Sequence, residues 1–99
     1  MDRPLAPLDR AQNLTGVREA AGQVRLQWEK PVEGGKVAAY QIMCRERAVG
    51  GEWDNEGTAM ETEKMILAGQ PQGVEMEYGV MAMNRAGEGP ISNTVVVLL

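Results

Sequence analysis

Histidine is absent from all 99 residues, and cysteine occurs once, at Cys44. The first absence removes the commonest general base and the commonest zinc and copper ligand together. The second excludes any internal disulfide, and with it a disulfide-stapled secreted scaffold, though not secretion itself. Long apolar runs are missing too, and nothing approaches the roughly 20 residues of a membrane-spanning helix. An excess of basic residues is also lacking. The net charge of −4 argues against a nucleic-acid surface and against adsorption to anionic lipid. Neither nucleic acid nor membrane insertion is therefore expected.

The chain is long enough for one domain with a single core. Its first ten residues, MDRPLAPLDR, have no apolar segment of the signal-peptide kind. They read as an extended lead-in, with a linker remnant over residues 1–8 and one folded module over residues 9–99. A module cut from a longer protein is the expectation.

The stretch GVEMEYGVMAMNRAGEGP, from Gly73 to Pro90, carries the clearest pattern. Met76, Tyr78, Val80 and Ala82 share one face. Glu75, Glu77, Gly79, Met81 and Met83 share the other. Alternation of this kind belongs to a strand. NRAGEGP breaks it and marks a connection into a last strand, Ser92 to Leu99, with Val95 and Val97 facing the core.

Earlier segments alternate as well. Ala11 to Glu19 reads as a first edge strand with Leu14 inward. In Gly22 to Glu29, Val24, Leu26 and Trp28 face inward, and burial of Trp28 contributes on the order of 3 kcal/mol. Pro31 ends that strand and Gly34-Gly35 gives the following loop its freedom. In Val37 to Arg47, Tyr40, Ile42 and Cys44 share a face. A short strand surrounds Trp53 between Glu52 and Thr58. Thr62 to Leu67 forms another, with Met65 and Leu67 inward. Short strands at nearly regular spacing, with no helical period, give an all-β sandwich.

These pieces together resemble a fibronectin type III domain from about Pro7 onward. The specific ones are Trp28, Tyr40, Gly73, Ala82-Met83-Asn84 and the hairpin AGEGPISN. The resemblance implies a seven-stranded immunoglobulin-like sandwich with sheets A-B-E and C′-C-F-G. The chain departs from the family twice. Met76 stands where a corner tyrosine is usual, with Tyr78 two residues later on the same face, and Gln70 stands where leucine is usual. The family's adhesion function depends on an Arg-Gly-Asp tripeptide in the F–G loop. Here that loop reads Asn84-Arg85-Ala86-Gly87-Glu88-Gly89-Pro90, so the function does not carry over. Extracellular or cell-surface use is what the resemblance implies; the free cysteine is compatible with the cytoplasm.

No constellation for chemistry emerges. Glu75 and Glu77 share a face that should be solvated, where neither would be tuned for acid–base work. The same holds for Glu61 and Glu63. There is no calcium loop and no phosphate-binding glycine loop. Cys44 has no histidine to activate it and faces the core, so it reads as a small buried hydrophobe. Asn13-Leu14-Thr15 matches a glycosylation sequon, a short motif with many chance occurrences. No catalytic residue, metal or cofactor is expected.

One surface is less ordinary. Met43, Met81, Met83, Val96 and Leu98 all fall on the outward side of the C-F-G strands. In the family's strand order they would form one apolar patch, which usually marks an interface. Methionine suits such adaptable surfaces. The expectation is a protein partner, a neighbouring domain or a second copy bound there, or at the loops Glu33–Lys36 and Arg85–Glu88. Thr94 to Leu99 is an uncharged, β-prone edge open to pairing. The function read from the sequence is a non-catalytic spacer or scaffold and interaction module. The alternative is an accessory domain assisting an attached enzyme on carbohydrate, with Trp53 stacking on sugar.

Overall fold

Alternating apolar residues force two faces onto each strand, and two sheets must then cover each other's apolar side. The computed structural model describes residues 8–32, 36–67 and 72–99. Eight strands follow in order: β1 (Gln12–Ala20), β2 (Gln23–Glu29), β3 (Ala39–Glu46), β4 (Asp54–Ala59), β5 (Glu63–Leu67), β6 (Glu75–Asn84), β7 (Gly87–Ile91) and β8 (Val95–Leu98). One sheet has the order β1-β2-β5. The other runs β4-β3-β6, and β7 and β8 share the remaining edge of β6. All pairings are antiparallel. The A-B-E and C′-C-F-G arrangement is present, with the last strand divided in two.

The core is built from the inward residues of both sheets. Val24, Leu26 and Trp28 from β2 meet Tyr40, Ile42 and Cys44 from β3 and Met76, Tyr78, Val80 and Ala82 from β6. Trp28 and Tyr40 pack edge to face, with ring centroids 5.3 Å apart. Leu14 and Val97 are buried and Val95 packs against the core from its rim. A bulge in β1 places two residues, Asn13 and Leu14, between the pairs Gln12↔Glu29 and Thr15↔Gln27. Asn13 takes a left-handed φ of 53° there, a conformation asparagine tolerates better than most residues. Its amide donates to Glu29 at 2.9 Å.

Four details differ from the sequence reading. Leu8, placed in the lead-in, is only 2% exposed and belongs to the core. In β5 the inward residue is Ile66; Met65 is exposed. The side chain of Leu67 lies outside the described residues, as does Gln70. The β2–β5 register pairs Val24 with Ile66, and paired residues share a face, so Met65 must point away. Trp53 precedes β4 instead of lying within it. Finally, the F–G connection is only Arg85-Ala86, because Asn84 pairs with Gly87 and β7 begins at once. The Asn84 side chain accepts a bond from the Ala86 N–H at 2.8 Å, an Asx turn that closes the connection early.

The last strand, expected from Ser92 to Leu99, begins only at Val95, and β7 occupies part of the stretch expected as a connection, with Ser92–Thr94 between the two strands. The Ser92 hydroxyl accepts from the Val80 N–H at 3.0 Å and donates to the Asn93 carbonyl at 2.8 Å. Asn93 then reaches into the other sheet, bonding both the N–H and the C=O of Leu14 at 2.8 and 3.0 Å. Gly16 of β1 lies across the sandwich against the inward side of β8, and a Cβ there would meet Val97 Cγ2 at 3.0 Å and Val95 Cγ2 at 3.2 Å.

Candidate interaction face

The outward side of the β3-β6 sheet divides into two halves of different chemistry. Its spine is β6, whose outward residues are Glu75, Glu77, Gly79, Met81 and Met83. Residues directly opposite on neighbouring strands share the face. Register therefore fixes the rows: Arg45–Glu77–Val96, Met43–Gly79, Gln41–Met81–Ile91 and Ala39–Met83–Glu88.

The first half is a ladder of ion pairs. Arg45 Nε donates to Glu77 at 2.8 Å and its Nη1 donates to the Gly51 carbonyl at 2.7 Å. The same guanidinium lies 4.1 Å from the centre of the Trp53 ring, a cation–π contact. Arg47 pairs with Glu75 at 3.2 Å in a more exposed position. The Arg45 hydrogen bond holds the Glu77 carboxyl below the usual carboxylate range. The surface read as solvated is thus closed at Glu77, and both glutamates are committed to arginines. Val96 and Leu98 border this ladder, directly opposite Glu77 and Glu75.

The second half is apolar. Met43, Met81 and Met83 are half-buried. They are knitted together by a residue the sequence reading did not single out, Ile91. Gly79 leaves room for it: a Cβ at Gly79 would meet Ile91 Cγ1 at 2.7 Å. Ile91 therefore folds over Gly79, beside Met43 on one side and Met81 on the other. Counting by twos back from the inward Val97 does not reveal this, because the break at Ser92–Thr94 resets the alternation. The seven candidate residues are accordingly not one patch. Met43, Met81 and Met83 come together, Glu88 borders them opposite Met83, and Arg85 sits in the exposed turn at the rim. Val96 and Leu98 lie with the charged half. Of the loop Glu33–Lys36, residues 33–35 lie outside the described residues.

The other candidates for chemistry are placed as follows. Cys44 is buried, and its thiol donates to Glu56 at 3.2 Å. Burial first, and the neighbouring carboxylates second, push it up to about 12. Glu63 pairs with Arg25, which also holds Glu19 at 2.7 Å. Among the described residues no group of three or more metal-ligating side chains is gathered, and no helix is long and apolar enough to cross a membrane.

No protein-family model matches the chain, and no curated protein matches it. Solved structures do. The twitchin kinase region from C. elegans (Fn31-NL-kin-CRD-Ig26) superposes with a TM-score of 0.84 at 25% identity, over 94% of this chain and 17% of that one. Domains A168–A170 from titin superpose with a TM-score of 0.82 at 19% identity, over 93% of this chain and 32% of that one. The sixth fibronectin type III domain of human fibronectin type III domain containing protein 3 gives 0.77 at 20% identity, over 97% and 89%. The fold is that of a fibronectin type III domain. The chain spans about a third or less of the titin and twitchin chains it matches, where this fold is one part of a longer protein.

Proposed function

We propose that this fibronectin type III fold serves as a non-catalytic module of a larger protein, a spacer that also holds a polypeptide partner through its β3-β6-β7 face. The apolar half of that face carries the reading. Met43, Met81, Met83 and Ile91 form a continuous surface flanked by an ordered ion-pair ladder. Flexible, polarisable methionines in a frame of fixed charges suit contact with another protein surface. The occurrence of the fold within the longer titin and twitchin chains supports the modular part. The carbohydrate alternative finds no support at Trp53, where Arg45 covers one face of the ring.

The test is sedimentation of the chain over a concentration series, with Met81→Lys beside it. A second copy as partner predicts association that rises with concentration and is lost on placing a lysine in the methionine cluster. If association persists unchanged in Met81→Lys, the face is not the interface. A monomer at every concentration removes self-association and leaves a heterologous partner, to be read as capture of the parent protein's adjoining domain.

A further inference from the structure

A strand at the edge of a sheet carries a row of unpaired backbone groups, and folded chains guard such edges with charge, proline or a bulge. Among the described residues the two sheets have edges at β1, β5 and β4, and along β7 and β8. β1 is guarded by Arg18, Glu19 and its bulge. β5 carries Glu63 and Lys64. β4 carries Asp54 and Glu56 and slips in register against β3. β7 carries Glu88 and Pro90. β8 has none of these guards. It reads Val95-Val96-Val97-Leu98 and pairs with β6 without a register shift. No described strand pairs with its other side.

The backbone bonds show which groups this edge offers. The Leu99 N–H donates to the Val74 carbonyl at 2.9 Å, and the Leu99 carbonyl accepts from the Gly73 N–H at 2.6 Å. Both backbone groups of Leu99 therefore face the β6 side. Residues two apart in a strand face the same way, so Val97 and Val95 also bond towards β6. Val96 and Leu98 then turn their N–H and C=O to the open edge. Glu75, opposite Leu98, accordingly offers its carbonyl to the Arg47 N–H on its other flank at 3.0 Å. The side chains of Val96 and Leu98 are 43% and 59% exposed. Their neighbours on β6, Glu77 and Glu75, are held by Arg45 and Arg47. A charged strand laid along β8 would find no free countercharge there.

A strand added at this place needs an open backbone edge of its own and an uncharged row of side chains. Among the described edges of this chain only β8 has both. We infer that β8 pairs antiparallel with β8 of a second copy, across a two-fold axis beside Val97, and joins the two β4-β3-β6 sheets into one. Val96 exchanges backbone bonds with the partner's Leu98, and Leu98 does so with the partner's Val96. Their side chains meet on the outer face as an apolar cluster. This register keeps the whole stretch from Val95 to Leu99 in contact. Symmetric pairing occupies both edges and closes at a dimer. Each copy carries a net charge of −4, and the copies meet where the flanking carboxylates are already paired. The contact does not use Met43, Met81, Met83 or Ile91. Association through β8 persists in Met81→Lys and association through the methionine face persists in Val96→Lys, so the two readings fail separately.

The experiment is sedimentation of the whole chain carrying Met81→Lys, which removes any association through the methionine face, with amide exchange measured at both ends of the concentration series. The expected result is a reversible species of twice the mass, and no larger one. Salt should strengthen it by screening repulsion between like-charged copies. The amides of Val96 and Leu98 should exchange about tenfold or more slower in the dimer than on dilution. Those of Val95 and Val97, bonded to β6, should be protected throughout. Val96→Pro removes an outward N–H that β6 does not use, a change that edge strands accept. Val96→Lys sets a charge against the partner's Leu98 and keeps the backbone intact. Each should raise the dissociation constant about tenfold or more, with Val95 and Val97 still protected as the sign that β8 remains folded. A monomer at every concentration overturns the inference. So does growth past a dimer, a dimer that survives Val96→Lys, or a dimer in which Val96 and Leu98 exchange as fast as in the monomer.

Discussion

At the scale of single residues, Ser92 decides more than its size suggests. Among the described residues it is the buried polar one, 3% exposed. Its hydroxyl satisfies the Val80 N–H, and its own N–H donates to the Val80 carbonyl at 2.9 Å. Ser92→Ala keeps the second bond and orphans the first, leaving a buried N–H unpaired. The expected loss is about 1–3 kcal/mol, read as a lower urea midpoint with an unchanged slope. Ser92→Thr restores a hydroxyl and should recover part of the loss. The sequence offered no sign of this role, since a serine in a turn-rich stretch looks like any other loop residue. The stacking of Arg45 on Trp53 was equally hidden. Both residues were visible, but the pairing depends on the turn through Gly50 and Gly51, with φ of 64° and 78°, bringing the ring back over β3.

Among the elements, β2, β3 and β6 were legible because each has an unbroken apolar parity, while the other parity is interrupted by charged, polar or small residues, even where Met43, Met81 and Met83 stand in it. In β5 both Met65 and Ile66 are apolar, so alternation allowed either face, and only pairing with β2 decides between them. The methionine cluster was legible in three of its members for the same reason that β6 was. Val96 and Leu98 share the outward face with the methionines but not their rows: the antiparallel hairpin carries the end of the chain towards the start of β6, opposite Glu77 and Glu75, and parity alone shows the face and not the row. The burial of Leu8 was hidden for a different reason. An extended segment without periodicity gives no hint of packing, yet Leu8 lies tightly over β7. A Cβ on Gly89 would come within 2.6 Å of the Leu8 carbonyl oxygen and 3.1 Å of that of Asp9. These are backbone atoms, which move only with the whole segment. Gly89→Ala should therefore lift the lead-in from β7 and destabilise the chain by about 1–3 kcal/mol, the usual range for overpacking. Faster amide exchange confined to residues 8–11 and 87–91 would locate the effect. Unchanged stability would mean that the segment is not held there.

For the whole molecule, the core encloses groups that ionise only in alkali, and this sets how stability responds to pH. Cys44 on β3 lies opposite Tyr78 on β6, and both are buried. Burial pushes the thiol up to about 12 and the Tyr78 phenol to about 12, the latter helped by the proximity of Cys44 and Glu56. Burial raises Tyr40 too. In the unfolded chain a thiol ionises near 8.5 and a phenol near 10. A raised value in the folded state means that the folded chain binds protons the unfolded chain has already released. Stability from this source is then complete below about pH 8.5 and declines as pH rises towards 12. Glu77 acts in the opposite direction. Its lowered value adds stability above the ordinary carboxylate range, near 4.3, which is lost as pH falls through its folded value. The melting temperature should hence be highest near neutrality and fall on both sides. Cys44→Ala removes the thiol's share, so its melting temperature should start to fall near pH 10 instead of pH 8.5. Tyr78→Phe should leave the onset at pH 8.5 and flatten the curve only above 10. Coincident alkaline limbs for wild type and Cys44→Ala, after correction for the cavity each substitution leaves, would mean that the thiol ionises as easily folded as unfolded. That outcome would contradict a closed core at the β3-β6 pairing, because only exclusion of water from both sheets keeps these protons in place.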